Sequence, residues 1–109
     1  MIKIMNLTPH TIYVRDEEGN VTREYRPEAT PARVRCETVA TGESIDGVPV
    51  TKTRYFDVQD LPEAQPDTYY IVSMLLAQAC PDRHDLLTVN ETVRDGEGRI
   101  IGCKSFVVN

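Results

Sequence analysis

Tryptophan is absent from this 109-residue chain, histidine occurs only twice, and no basic excess exists: twelve Lys and Arg stand against seventeen Asp and Glu, a net charge of −5. A nucleic-acid binder neutralises phosphates with clustered cations, so this balance excludes a polymeric nucleic-acid partner. No run approaches the roughly 18 apolar residues of a membrane span, and the start, Met1 to Asn6, has no apolar stretch of signal-peptide length. A cytoplasmic protein with no membrane partner is expected. The sequons at Asn6 and Asn90 then carry no weight. Cysteine is scarce and odd in number: Cys36, Cys80 and Cys103 lie far apart, without a Cys-x-x-Cys pair or a nearby histidine. They are expected to be reduced, unpaired small hydrophobes, at least two of them buried. Glycine-rich phosphate loops of the G-x-G-x-x-G or G-x-x-x-x-G-K type are lacking. Metal binding needs three or four converging ligands, and beyond a local grouping of Asp82, His84 and Asp85 nothing suggests one. No metal or cofactor is expected.

What is present is enough for one core: 40% of residues are hydrophobic and 27% charged, which predicts a single folded domain over residues 1–109. The acidity is confined to the second half, since residues 1–55 balance eight against eight while residues 56–109 hold four basic against nine acidic side chains. Such a face suits a basic partner surface.

Alternation and β-branched residues dominate the pattern. A first strand is read from Ile2 to Asn6, ending at the turn signal Thr8-Pro9-His10. Thr11–Arg15 and Val21–Tyr25 flank Asp16-Glu17-Glu18-Gly19-Asn20 and predict a hairpin. Arg26 to Pro31 is a proline-punctuated crossing. Ala32 to Ala40 alternates, with Ala32, Val34, Cys36 and Thr38 on one face and Arg33, Arg35 and Glu37 on the other. Asp46-Gly47 reads as a turn into a strand over Val48–Phe56, with Pro49 marking an edge. Asp57 to Asp67 is the longest irregular stretch. Thr68–Val72 is the most apolar strand and leads into a helix of about eight residues between Ser73 and Pro81, apolar nearly all round and therefore expected to be buried. Leu86–Val89, a turn, Thr92–Arg94 and a terminal hairpin through Arg99–Val108 complete the chain. The predicted fold class is α+β: a small, mostly antiparallel β domain of five to eight strands with one short buried helix.

One pattern occurs twice. Val14-Arg15-Asp16-Glu17-Glu18-Gly19-Asn20-Val21 and Val93-Arg94-Asp95-Gly96-Glu97-Gly98-Arg99-Ile100 share V-R-D-x-E-G-x-[VI]. The same turn chemistry, Asp bonding to the backbone and Gly supplying positive φ, accounts for it. A duplicated half-fold is the alternative, but the flanking residues do not match.

Two positions suggest anion binding. Ser73 opens the helix, either as a plain N-cap or as an anion site on free backbone N–H groups. Arg83, in Pro81-Asp82-Arg83-His84-Asp85, either clamps a phosphate or carboxylate or pairs with the neighbouring aspartates. The helix between them spans roughly 12 Å, so both serve one ligand only if it is long or if two protomers share it. His10 is the candidate general base, with an ordinary turn histidine as the alternative. Ser73 lacks the flanking glycines of a nucleophile elbow.

Asn6-Leu7-Thr8-Pro9-His10, Tyr70-Ile71-Val72-Ser73 and Val93-Arg94-Asp95-x-x-Gly98-Arg99-Ile100-Ile101-Gly102-Cys103 resemble a family of small uncharacterised proteins encoded in bacteriophages and prophages, over most of the chain. The resemblance names no activity. It implies a phage accessory protein acting in a host cytoplasm, of the kind that blocks a host protein or sequesters a host signalling nucleotide. Three functions follow as expectations. The first is a non-enzymatic binding module for a small anionic, nucleotide-like ligand such as a host defence signal, using Asn6, Thr8, His10, Ser73 and Arg83. The second is an acidic module that docks on a host protein and inhibits it; the third is a small enzyme with His10 as base. Long β-edges and the apolar Phe106-Val107-Val108 predict a homo-oligomer.

Overall fold

A computed structural model describes residues 1–28 and 30–109. Ala29, in the proline-punctuated crossing, lies outside the described residues. In chain order the elements are β1 (Lys3–Asn6), β2 (Ile12–Arg15), β3 (Val21–Tyr25), β4 (Arg33–Ile45), β5 (Val48–Gln59), β6 (Thr68–Ile71), α1 (Met74–Ala79), β7 (Leu86–Arg94) and β8 (Ile100–Val108). Six strands form one sheet in the order β1-β6-β7-β8-β2-β3, and β4 and β5 form a separate two-stranded arm. The expected β-rich chain with one short helix is present, but the sheet is mixed rather than mostly antiparallel. β1 with β6, β6 with β7, and β2 with β8 pair in parallel, while β7 with β8 and β2 with β3 are antiparallel. The cause is the crossover from β6 through α1 to β7, which returns the chain to the same end of the sheet, as parallel neighbours require.

The sheet rolls until its edges meet. Pro27, just beyond β3, forms a parallel bridge with Asn6 of β1, and the Glu28 N–H donates to the Asn6 carbonyl at 3.0 Å. The Asn6 side chain, 1% exposed, completes the closure. Its Nδ2 donates to the carbonyls of His10 (2.7 Å) and Tyr25 (2.8 Å), and its Oδ1 accepts from the Thr8 N–H (2.9 Å) and hydroxyl (2.7 Å). The rings of Tyr25 and Phe106 sit edge to face with centroids 6.0 Å apart, although β2 lies between their strands. Strands two apart in a flat sheet are about 10 Å apart, so this contact reports strong curvature.

Leu7, Ala32, Tyr70, Val72, Leu76, Ala77 and Leu86 form the main core. Ile71, between Tyr70 and Val72, points to the other face by strand alternation, and it is fully buried there. Helix α1 is six residues long and amphipathic, not buried all round: Leu76 and Ala77 are inside, while Met74 (62%) and Leu75 (47%) are exposed. One turn and a half against a single surface can bury only one stripe. Of the cysteines, all unpaired, only Cys103 is buried, and Cys36 and Cys80 are half-buried, one fewer than expected. Cys36 lies on β4 opposite Tyr55, whose hydroxyl donates to Gln78 of α1 at 3.2 Å, so the helix end covers its face only in part.

Both copies of V-R-D-x-E-G-x-[VI] fold alike. The Asp16 Oδ1 accepts from the N–H groups of Glu18 and Asn20, the Asp95 Oδ1 from those of Glu97 and Arg99. Arg15 and Arg94 each donate from Nη1 to the carbonyl of the turn glycine, Gly19 at 2.8 Å and Gly98 at 2.7 Å. Those glycines have φ of 88° and 82°, and both hairpins carry a register shift just before the turn. Asp46-Gly47 joins the arm strands with φ of 52° and 79°, the left-handed pair of a type I′ turn. β7 is continuous where a break was expected near Asn90: pairing passes from Asn90 with Ser105 to Thr92 with Cys103, and Glu91 between them takes the left-handed conformation (φ 52°).

Removing the Asn6 amide takes its partner from the Tyr25 carbonyl and from the Thr8 N–H at the closure, while the His10 carbonyl keeps only the Thr8 hydroxyl at 3.0 Å. Asn6→Ala should therefore lose at least about 2 kcal/mol of stability, and Asn6→Asp should lose as much, since a carboxylate cannot donate to those carbonyls. Asn90→Ala, at an exposed asparagine, should change stability by under about 0.5 kcal/mol. Urea denaturation of the three variants tests this; a mild loss at Asn6 would mean that the edges meet without it.

Candidate functional site

The five residues singled out from sequence fall in three places. Ser73 is an N-cap, with extended backbone (φ −67°, ψ 155°) and a hydroxyl accepting from the Leu76 N–H at 3.3 Å. Arg83 makes a two-pronged contact with Asp85, Nε to Oδ1 at 2.9 Å and Nη2 to Oδ2 at 2.8 Å, and Nη2 also donates to the Pro62 carbonyl at 2.8 Å. Both side chains are mostly buried, 24% and 14% exposed. The Asp85 carboxyl is held below the usual carboxylate range, above all by those hydrogen bonds from Arg83. A shallow cavity of about 310 Å³ adjoins them, but Asp82 and Asp85 both line it. An anion entering there meets two carboxylates.

Asn6, Thr8 and His10 come together, and the first two are occupied with closing the sheet. Thr8 serves as the turn partner of the Asn6 carboxamide. His10, by contrast, is exposed and lies at a cavity of about 570 Å³. Thr11, Ile12, Tyr13 and Arg15 of the β2 segment form one wall of it, and Ile100 to Cys103 of β8, with Val89, form the other. This volume lies within the range of small-molecule sites.

β2 and β8 share one ladder pair, Val14 with Cys103, and the cavity is lined by residues on both sides of it. Gly102 permits that contact. A Cβ at Gly102 would lie 2.8 Å from the Tyr13 carbonyl oxygen and 3.1 Å from Cδ and Nε of Arg15. Arg15 is half-buried and oriented by two carbonyls, Nε donating to Ile101 at 3.2 Å and Nη1 to Gly19 at 2.8 Å. The remaining guanidinium donors have no hydrogen bond among the described residues. Among the described residues no carboxylate lines this cavity, although the chain carries net charge −5. Cys103 is 1% exposed and burial pushes its thiol up, so it stands beside the cavity as a neutral thiol, not as a thiolate nucleophile.

In the sequence Arg15 stands within a repeated turn pattern, Gly102 within the C-terminal motif and Tyr13 within a strand, and none of the three is marked there as a site residue. A glycine inside an alternating strand is a signal of close backbone approach, and it was the available clue. Among the described residues no group of three or more His, Cys, Asp or Glu is placed to hold a metal ion, and no helix is long and apolar enough to cross a membrane. Comparison of the chain with known protein families, curated proteins and solved structures finds no match.

Two outcomes are expected. Gly102→Ala should force β2 from β8 and cost about 1–3 kcal/mol, whereas Gly96→Ala, with open space around it, should be tolerated; equal midpoints in urea would refute the close approach. For Arg83→Gln, thermal melts at neutral pH should show a loss of about 1–3 kcal/mol, the cost of a buried carboxylate left unpaired. Because the Asp85 pKa is lowered in the fold, its stabilisation is complete above the unfolded value of about 3.9 and is lost as pH falls through the folded one. The gap between wild type and variant should thus narrow in acid.

Proposed function

We propose that the protein is a non-enzymatic binding module for a small anionic, nucleotide-like ligand, and that the ligand sits in the cavity between β2 and β8. The observation that carries this reading is the lining: in an acidic chain, this cavity has Arg15 and His10 and, among the described residues, no carboxylate. Arg15 is held by two backbone carbonyls and keeps donors for a phosphate. Ile12, Ile100, Ile101 and Val89 supply an apolar wall, and Tyr13 an aromatic ring, against which a base packs. A neutral, buried Cys103 favours capture over nucleophilic chemistry. The residues from His10 and those from Ile100 to Cys103 belong to the two end motifs by which the chain resembles phage-encoded proteins, and both motifs supply walls of this one cavity. That convergence supports a host signalling nucleotide as the ligand class, sequestered in the host cytoplasm. Arg83 belongs to the scaffold in this reading, and Ser73 caps its helix.

The repeated turn provides an internal control. Arg15 and Arg94 make the same bond to a turn glycine, but only Arg15 lines the cavity. In calorimetric titrations with adenosine monophosphate, Arg15→Gln should weaken binding by about 1.5–3 kcal/mol, the range for a lost charged hydrogen bond. Arg94→Gln should bind as the wild type does, with a similar change in melting temperature. Equal affinities for the two variants, or no heat from the wild type at millimolar nucleotide, would sink the reading. Mass spectrometry of small molecules released from purified protein would name the natural ligand.

A further inference from the structure

The β4–β5 arm has no partner strand on either edge. Its β4 edge is interrupted, since pairing with β5 skips from Ala40 to Ser44, whereas β5 carries no extra residue between Val48 and Phe56. Along an antiparallel strand the backbone groups of successive residues point alternately to one neighbour and the other. The Thr41 hydroxyl of β4 donates to the Val50 carbonyl at 2.9 Å, so Val50 faces β4, and Thr51, Thr53 and Tyr55 turn their N–H and C=O groups to the free side. Pro49 faces the same way but has no N–H, and beyond Phe56 the register shifts with Asp57 at φ of 47°. The usable edge is thus residues 51–55.

Side chains alternate as well. On one face of this edge Lys52 and Arg54 are exposed and have no ion pair among the described residues; Glu37, opposite Arg54 in the ladder, lies 3.7 Å from Arg35. On the other face stand Thr51, Thr53 and Tyr55, and there the Tyr55 hydroxyl donates to Gln78 of α1 at 3.2 Å. Met74 and Leu75 precede Gln78 by four and three residues, so they share its side of the helix, and both are exposed. The free edge of β5 therefore has cations on one face and apolar surface, from Tyr55 and α1, on the other.

We propose that this edge receives an extended segment of a partner protein as an added strand, one in which acidic and apolar side chains alternate. Its acidic side chains fall opposite Lys52 and Arg54, where opposite-charge cross-strand pairs are favourable. Its apolar side chains fall on the face of Tyr55, Met74 and Leu75 and remove exposed apolar surface from water. Main-chain bonds to Thr51, Thr53 and Tyr55 supply affinity and the two faces supply selectivity, the division of labour common to strand addition. Cations and a proline on an edge also deter indiscriminate pairing, and a strand of opposite charge is the kind this edge admits. The surface is distinct from the β2–β8 cavity and independent of what binds there.

The probe is a fluorescein-labelled heptapeptide of alternating valine and glutamate, with one of alternating valine and lysine as control, both titrated with the full chain and read by fluorescence anisotropy. The valine–glutamate peptide should bind the wild type, and the valine–lysine peptide should bind at least about tenfold more weakly. The double variant Lys52→Glu with Arg54→Glu should reverse that preference. Thr53→Pro removes an outward N–H without touching the bonds to β4, and it should abolish binding of the valine–glutamate peptide. No anisotropy change with wild type up to millimolar protein, equal affinities for the two peptides, or undiminished binding by Thr53→Pro would overturn the proposal. So would a wild-type dimer in light scattering that Thr53→Pro converts to monomer, because a second copy would then hold the edge. Circular dichroism of each variant checks that the chain remains folded.

Discussion

A single carboxamide is where this fold is tied shut. Asn6 presents two donors and two acceptor positions, and all four are used, by the carbonyls of His10 and Tyr25 and by the N–H and hydroxyl of Thr8. No other neutral side chain of this size offers that combination. It therefore joins one edge of the sheet to the other and fixes the Thr8-Pro9-His10 corner in the same act. From that corner β2 sets out, so the β2 wall of the cavity inherits its position from Asn6. Burying so polar a group is tolerable because no valence is left open.

The elements were largely legible in the sequence, and their arrangement was not. Alternation marked β1 and the start of β4, and β-branched, aromatic or apolar content marked the other strands, with β7 split near Asn90; Asp16, Gly19 and Asp95, Gly98 announced two turns that share one hydrogen-bond pattern. Alternation carries no information on partners, however, and the parallel pairs β1 with β6 and β2 with β8 join segments far apart in sequence. Strand ends on the arm were missed because Thr41-Gly42-Glu43-Ser44 reads as loop. Gly42 in fact takes φ of 79° within a bulge, and pairing resumes at Ser44. The helix was expected to be buried because its composition is apolar throughout, and composition cannot say that only one side of a short helix has something to pack on.

The site shows the same division. His10 was read from sequence and lies at the cavity, whereas Arg83 attracted attention as a cation among aspartates and is paired with one of them. Arg15 looked like part of a turn and is that as well, since the two carbonyls that bind it also aim it. Local sequence can identify a charged residue, but only the fold decides whether a countercharge stands beside it.

The closure at Asn6 also sets an order of events. β1 is the first strand made, yet its neighbour in the ladder, β6, begins 65 residues later, at Thr68. A nascent chain thus carries an unmated first strand while most of the domain is still being synthesised, and the roll can close only when nearly the whole sequence is available. Contacts of such separation slow folding, because the entropy of a long loop must be lost before they form. The hairpins β2–β3, β4–β5 and β7–β8 and the bonds of Asn6 to Thr8, His10 and Tyr25 can form from local contacts in the meantime, leaving the pairing of β1 with β6 as the late step that completes the roll.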